Sequence, residues 1–190
     1  MTLTAKSVPS PEAERLYTAD ELLRFPDTSH YELVEGNLRE MAPTGDFHGV
    51  YTSNISIEIG WFVRQNKLGE TFAAETGFLI RRNPDTVKAP DFAFISHERL
   101  TFPRGTGFVP AVPDLVLETR SPSDRPAAVA TKIQEWLEAG VRLAIDLDPA
   151  KRTLTVYQPG ETPKMLSETD TLEGGEVLPG FTLPLSRLFA

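Results

Sequence analysis

Asp91, Glu118 and Lys132 stand on neighbouring segments of a 190-residue chain, and their side chains suit one kind of chemistry. Asp91 follows Pro90 within a predicted strand. Glu118 ends the next apolar strand, Leu115-Val116-Leu117, where an unpaired buried carboxylate is costly. Lys132 lies in the helix that follows, whose apolar stripe is Val129, Ile133, Trp136 and Leu137. Three residues after Val129 and four before Trp136, it borders that stripe and faces the sheet rather than open water. Two carboxylates and a lysine in one place suffice for a hard cation such as Mg²⁺, which takes one or two protein carboxylates and leaves its other positions to water and phosphate. A metal so held lowers the pKa of a bound water and polarises phosphoryl oxygens. The lysine orients that water or neutralises charge building on pentavalent phosphorus. The reaction this set suits is phosphodiester hydrolysis.

Each of the three also has a purely structural reading. Asp91 after Pro90 is a reasonable turn residue, Glu118 has Arg120 and Arg142 as nearby ion-pair partners in sequence, and Lys132 can snorkel along its helix edge. Around them, Glu32 in the first hairpin is the better candidate than Glu35 for a third acidic group, because apolar Leu33 and Val34 follow it. His48, just before a predicted helix, is a candidate for a supporting role near the metal. Asp114 reads as a strand start, and Trp61 and Trp136 as core or interface aromatics rather than base-stacking platforms.

Several elements must position these groups. Residues 1–15, with Pro9 and Pro11, read as a flexible arm, and residues 16–190 as a single domain. Thr18 is a predicted helix N-cap with Glu21 as its capping-box partner, and that helix ends before Pro26. Tyr31 to Met41 reads as a β-hairpin about Glu35-Gly36-Asn37. A helix is predicted from His48 to about Lys67, closed by Gly69. Three strands follow, Thr71–Arg81, Val87–Ile95 and Asp114–Thr119, the last two separated by a Gly- and Pro-rich surface excursion over 96–112. Ser123 or Asp124 is expected to cap the next helix, with Pro126 in its first turn and Gly140 as its stop. Val141 to Leu147 is a buried-looking strand, and short strands at 154–157, 163–166 and 181–183 make a β-rich tail. The order describes a mixed sheet flanked by helices, of the α/β (α+β) class.

Composition sets wide limits. Hydrophobic residues make up 40% and charged residues 24%, so a packed core is expected and wholesale disorder is not. The chain has no cysteine, which excludes disulfides, thiolate metal sites and cysteine nucleophiles. Its start lacks a signal-peptide pattern and no apolar run reaches membrane-spanning length, so a cytoplasmic protein without membrane contact is expected. The net charge of −8 argues against a protein that holds nucleic acid mainly by a basic face. It does not argue against a metal enzyme, whose bound cation reverses the local potential.

Tyr31-Glu-Leu-Val-Glu-Gly, His48, Ala89-Pro90-Asp91, Pro113-Asp-Leu-Val-Leu-Glu118-Thr-Arg-Ser-Pro-Ser, Lys132 and Glu138-Ala-Gly-Val occur in this order. Together they resemble the Uma-type restriction endonuclease family of the PD-(D/E)XK nuclease superfamily, over roughly residues 18–160. The resemblance implies a restriction-endonuclease-like core and a Mg²⁺ site, with Mn²⁺ as a possible substitute. Asp91 and Glu118 would be the metal ligands, Lys132 the catalytic lysine, and Glu32 and His48 supporting members. The superfamily pattern has lysine two residues after the glutamate, where this chain has Arg120. Arg120 is the competing source of the cation, but its guanidinium stays protonated and cannot act as a base, so Lys132 is preferred. The implied activity is a Mg²⁺-dependent endonuclease acting on nucleic acid, DNA before RNA, as a homodimer by analogy. Two alternatives stay open: a non-catalytic binding or regulatory protein on the same fold, and a carbohydrate or phosphate-ester hydrolase using the same carboxylates.

Overall fold

The structure, a computed structural model, describes residues 15–25, 31–41 and 43–190. The arm expected over 1–15 lies outside the described residues except for Arg15, whose guanidinium reaches Glu21 Oε1 at 2.7 Å. Helix α1, Ala19–Leu22, is capped as its sequence requires. Thr18 accepts from the Glu21 amide while the Glu21 carboxylate accepts from the Thr18 amide. Strands β1, Tyr31–Val34, and β2, Asn37–Glu40, form the expected hairpin, with Glu35 and Gly36 both at positive φ in its two-residue turn.

Helix α2, Asp46–Asn66, starts two residues before the predicted boundary and ends at Lys67 in the left-handed region, before Gly69. The segment expected as one strand over 71–81 is two: β3, Gly69–Ala73, and β4, Phe78–Arg81, which belong to different sheets. Glu75, at φ 67°, turns the chain between them. The segment expected as one strand over 87–95 also divides, into β5, Thr86–Lys88, and β6, Phe92–Ser96. Pro90 stands in the break, where its lack of an N–H would otherwise leave a gap in the ladder. Strand β7, Leu115–Thr119, follows the surface excursion, which contains one 3₁₀ turn at His97–Arg99.

Helix α3, Pro126–Ala139, has Pro126 in its first turn and Gly140 at φ 105° as its C-cap, as the sequence predicts. The predicted N-cap is displaced: Arg125 occupies that position, and the Asp124 carboxylate instead accepts from the Ser121 amide at 2.7 Å, closing the preceding turn. The chain ends with β8, Leu143–Asp148; β9, Thr153–Tyr157; β10, Lys164–Ser167; β11, Thr171–Glu173; β12, Thr182–Pro184; and helix α4, Leu185–Leu188.

Six strands make the central mixed sheet in the order β10-β9-β8-β7-β6-β3, in which only β7 and β8 run parallel. The β7–α3–β8 unit is the crossover that this parallel pair needs. Alternation along the strands divides the core. Phe92, Phe94, Leu115, Leu117 and Ile145 face α2, through Ile55, Ile59 and Val63, and the tail. Ala93, Ile95, Val116 and Ala144 face α3, through Val129, Ile133 and Trp136. Small residues on the α3 face let the Trp136 ring lie flush on the sheet, where it is fully buried. A second sheet, β2-β1-β5-β4, brings the hairpin over the C-terminal end of β7.

Candidate active site

The alternation that buries Val116 against α3 also points Glu118 at α3, two residues on. Its carboxylate is held at both oxygens from one helix. Lys132 Nζ lies 2.7 Å from Oε2, and the Trp136 indole donates to Oε1 at 2.7 Å. Residues four apart on a helix share a face, so one helical turn supplies both donors. Thr119, pointing the other way, meets α2 through a 2.7 Å hydrogen bond with Thr52.

Asp91 reaches the same place from β6. Strands β6 and β7 pair Phe92 with Leu117, so one step further along the register sets Asp91 beside Glu118. Asp91 Oδ2 accepts from the Thr119 amide at 2.7 Å, and His48 Nε2 approaches that same oxygen at 3.2 Å. Glu32 comes from the hairpin. Its Oε1 accepts from the Ala89 amide at 3.0 Å and lies 3.6 Å from Lys132 Nζ. Thus all five residues singled out in the sequence line one cleft of about 380 Å³, with Asp124 also on its wall.

The electrostatics follow from the crowding. Burial pushes Glu118 up to about 7, and the charges of Asp91 and Glu32 add to this while Lys132 opposes it. Lys132 is raised: burial alone would lower it, but Glu118, Glu32 and Asp91 outweigh that effect and keep it an ammonium. His48 is also raised, because the Asp91 and Asp124 carboxylates overcome the opposing effect of its burial.

Arg120 is not at the centre. Its guanidinium forms a two-pronged ion pair with Asp146 and reaches Asp148 at 3.4 Å, so it braces β8 rather than supplying charge to Glu118. Arg142 is likewise engaged, with Asp114. Asp114 does more than mark a strand start. Fully buried, it accepts from the Ser96 amide at 2.8 Å and from Arg99 at 3.2 Å.

Lys88 was not singled out in the sequence. It is 1% exposed, lies 2.7 Å from Glu135 Oε2, donates to the Lys132 carbonyl at 3.3 Å and sits 4.9 Å from the centre of the Trp136 ring. A lysine two residues before Pro90 in a run flanked by Val87 and Ala89 was the available signal. Burial lowers it, and Glu135, Glu32 and Glu118 oppose that effect.

A divalent cation fits the donor set in a limited way. Glu32, Asp91 and Glu118 outnumber Lys132, and Asp91 Oδ1 carries no protein hydrogen bond among the described residues. Among those residues no three His, Asp or Glu side chains converge as a closed metal cage would. Two carboxylate ligands with water completing the shell is the arrangement these residues can offer, and it is the habit of Mg²⁺.

Known proteins place the chain. It is similar to a crystal structure described as a putative nuclease belonging to DUF820 from Anabaena variabilis ATCC 29413, at 21% identity over 90% of this chain and 97% of that one, with a TM-score of 0.76. At that identity the likeness speaks for the fold, and it agrees with the mixed sheet flanked by helices. No curated protein matches the sequence. Residues 19–186 match the Uma2 family, described as "Putative restriction endonuclease", and the chain belongs to that family.

Proposed function

We propose that the chain is a Mg²⁺-dependent endonuclease that hydrolyses phosphodiester bonds of nucleic acid, with DNA as the first substrate to test and Mn²⁺ as a substitute metal. The observation that carries this reading is the meeting of Asp91, Glu118 and Lys132 in one cleft of a chain from this family. Asp91 and Glu118 are the residues that would hold the cation, which when bound polarises the phosphate and acidifies a water. Lys132, kept protonated by its acidic neighbours, acts as a hydrogen-bond donor rather than a base. It orients the attacking water or steadies charge on the phosphoryl oxygens. Glu32 and His48 are positioning residues: Glu32 fixes the lysine from the hairpin side, and His48 fixes Asp91 from α2. Trp136 sets the rotamer of Glu118.

The experiment that tests this is calorimetric titration with Mn²⁺ and Mg²⁺ of the native chain and of the Asp91→Ala and Glu118→Ala variants, followed by plasmid cleavage assays. Specific binding lost in both folded variants, with metal-dependent cleavage by the native chain, is the expected result. No binding, or equal binding in all three, removes the metal mechanism and leaves a non-catalytic relative as the reading. A cytoplasmic homodimer is part of the same proposal and rests on analogy.

A further inference from the structure

Seven large hydrophobic side chains are exposed among the described residues, and four of them lie on α2: Phe47 (65%), Val50 (46%), Ile57 (63%) and Trp61 (64%). Scattered exposed hydrophobics are ordinary, but four on one helix form a patch that asks for a partner. Their intervals are three, seven and four residues, with Asn54 filling the gap, so they make a 3-4 seam of the coiled-coil kind. This seam is separate from the one α2 buries against the sheet, which is His48, Tyr51, Ile55, Ile59 and Val63. Asn54 sits half-buried at its edge and donates to the Leu188 carbonyl at 3.4 Å.

We propose that this outer face of α2 is a self-association surface on which a second copy of the chain packs its own α2 antiparallel, about a two-fold axis at Asn54. The seam is self-complementary in that direction, and the charges at its ends decide against the parallel one. Val50 meets Ile57 of the second copy, Phe47 meets its Trp61, and Asn54 meets Asn54, so aliphatic faces aliphatic and aromatic faces aromatic. Charge selects the same direction. Asp46 lies in the first turn of α2, Arg64 in its last turn and Lys67 just beyond it, and neither cation has a carboxylate partner among the described residues. Antiparallel packing sets each Asp46 near the other copy's basic end, whereas parallel packing sets like charges and like helix ends together. The contact is isologous and closes at two copies. Along the helix the seam covers about 21 Å at roughly 1.5 Å per residue. The inference does not depend on the nuclease reading, since it uses only the outer face of α2.

Sedimentation velocity over a concentration series, together with site-directed cross-linking, tests it. The chain has no cysteine, so introduced ones report alone. A concentration-dependent dimer is expected, weakened roughly tenfold or more by Trp61→Glu and by Ile57→Glu, both at exposed positions where the fold tolerates a charge. Mixed Val50→Cys and Ile57→Cys chains should form a disulfide-linked heterodimer faster than either forms a homodimer. A monomer at every concentration overturns the proposal, whether residues 1–14 or a nucleic-acid strand covers the seam instead. So does a dimer indifferent to Trp61→Glu, or a Val50→Cys homodimer that forms faster than the mixed pair.

Discussion

The Trp136 indole N–H points at Oε1 of Glu118 from 2.7 Å, while Lys132, one turn earlier on the same helix, holds Oε2 at the same distance. A buried carboxylate is thereby satisfied at both oxygens by one rigid element, and its rotamer is fixed before any ligand arrives. The grip has a second layer. Lys88, beneath the helix, donates to the Lys132 backbone carbonyl and lies over the Trp136 ring, so one strand residue braces the helix at both of the positions that hold Glu118.

Trp136→Phe should cost about 2–4 kcal/mol of stability, combining a lost hydrogen bond to a charged group with a modest cavity. Chemical denaturation of the metal-free chain measures it. A loss below about 0.5 kcal/mol would mean that water replaces the indole and that the contact does not order Glu118.

Lys132→Met separates catalysis from metal binding. Lys132 both competes with a cation for Glu118 Oε2 and lowers that carboxyl's pKa, so without it Mn²⁺ affinity in calorimetry at alkaline pH, where Glu118 stays ionised, should hold or rise. Cleavage of plasmid DNA should fall by roughly 10²–10⁴ because the charge-stabilising donor is gone. Weakened Mn²⁺ binding would instead show that the lysine acts through the fold.

Lys88→Met should destabilise the metal-free chain by about 1–3 kcal/mol, because the Lys132 carbonyl loses a buried donor and the acidic cluster a compensating charge, while Glu135, partly exposed, keeps Arg39 at 3.5 Å. Added Mn²⁺ should restore part of that loss by binding the more negative site of the folded state. A melting series with and without metal reads both effects, and an unchanged melting point in Lys88→Met would deny the lysine its bracing role.

Asp114 gives the acid limb of the stability curve. Burial alone would raise its pKa, but the Ser96 amide and Arg99 outweigh that and hold it below the ordinary value of 3.8. A carboxyl whose folded pKa is depressed contributes stability above its unfolded pKa and loses it as pH falls through the folded value. Asp114→Asn should therefore lie about 2–4 kcal/mol below the native chain at pH 7, with the gap closing below roughly pH 4. Urea unfolding at several pH values measures the gap, and a gap independent of pH would show that Asp114 acts by packing alone.

Local rules in the sequence reach far into this fold. The Thr18/Glu21 capping box, the Glu35-Gly36 turn, Pro126 at the start of α3 and Gly140 at its end all depend on neighbours a few residues away, and all four stand where those neighbours put them. The buried run Leu115-Val116-Leu117 ending in Glu118 was legible for the same reason, as was the side of α3 that carries Lys132. The breaks inside 71–81 and 87–95 were not. Each half has a strand's composition, Pro90 alone marks the second break locally, and it is pairing with different sheets that makes each half a separate strand. The cap of α3 was misplaced because the Asp124 carboxylate found the Ser121 amide, a rival local bond of similar strength.

Within the site the division is the same. Sequence alone determined which residues carry chemistry-bearing groups and which faces of their strand and helix they occupy, because side-chain direction follows the local period of two or 3.6 residues. It could not determine that the hairpin folds over β7 to bring Glu32 within 3.6 Å of Lys132, that Arg120 turns to Asp146, or that Lys88 lies beneath the site. Those outcomes depend on contacts between residues 26 to 100 positions apart, and on which carboxylate offers a given cation the least costly burial, so only the tertiary structure decided them.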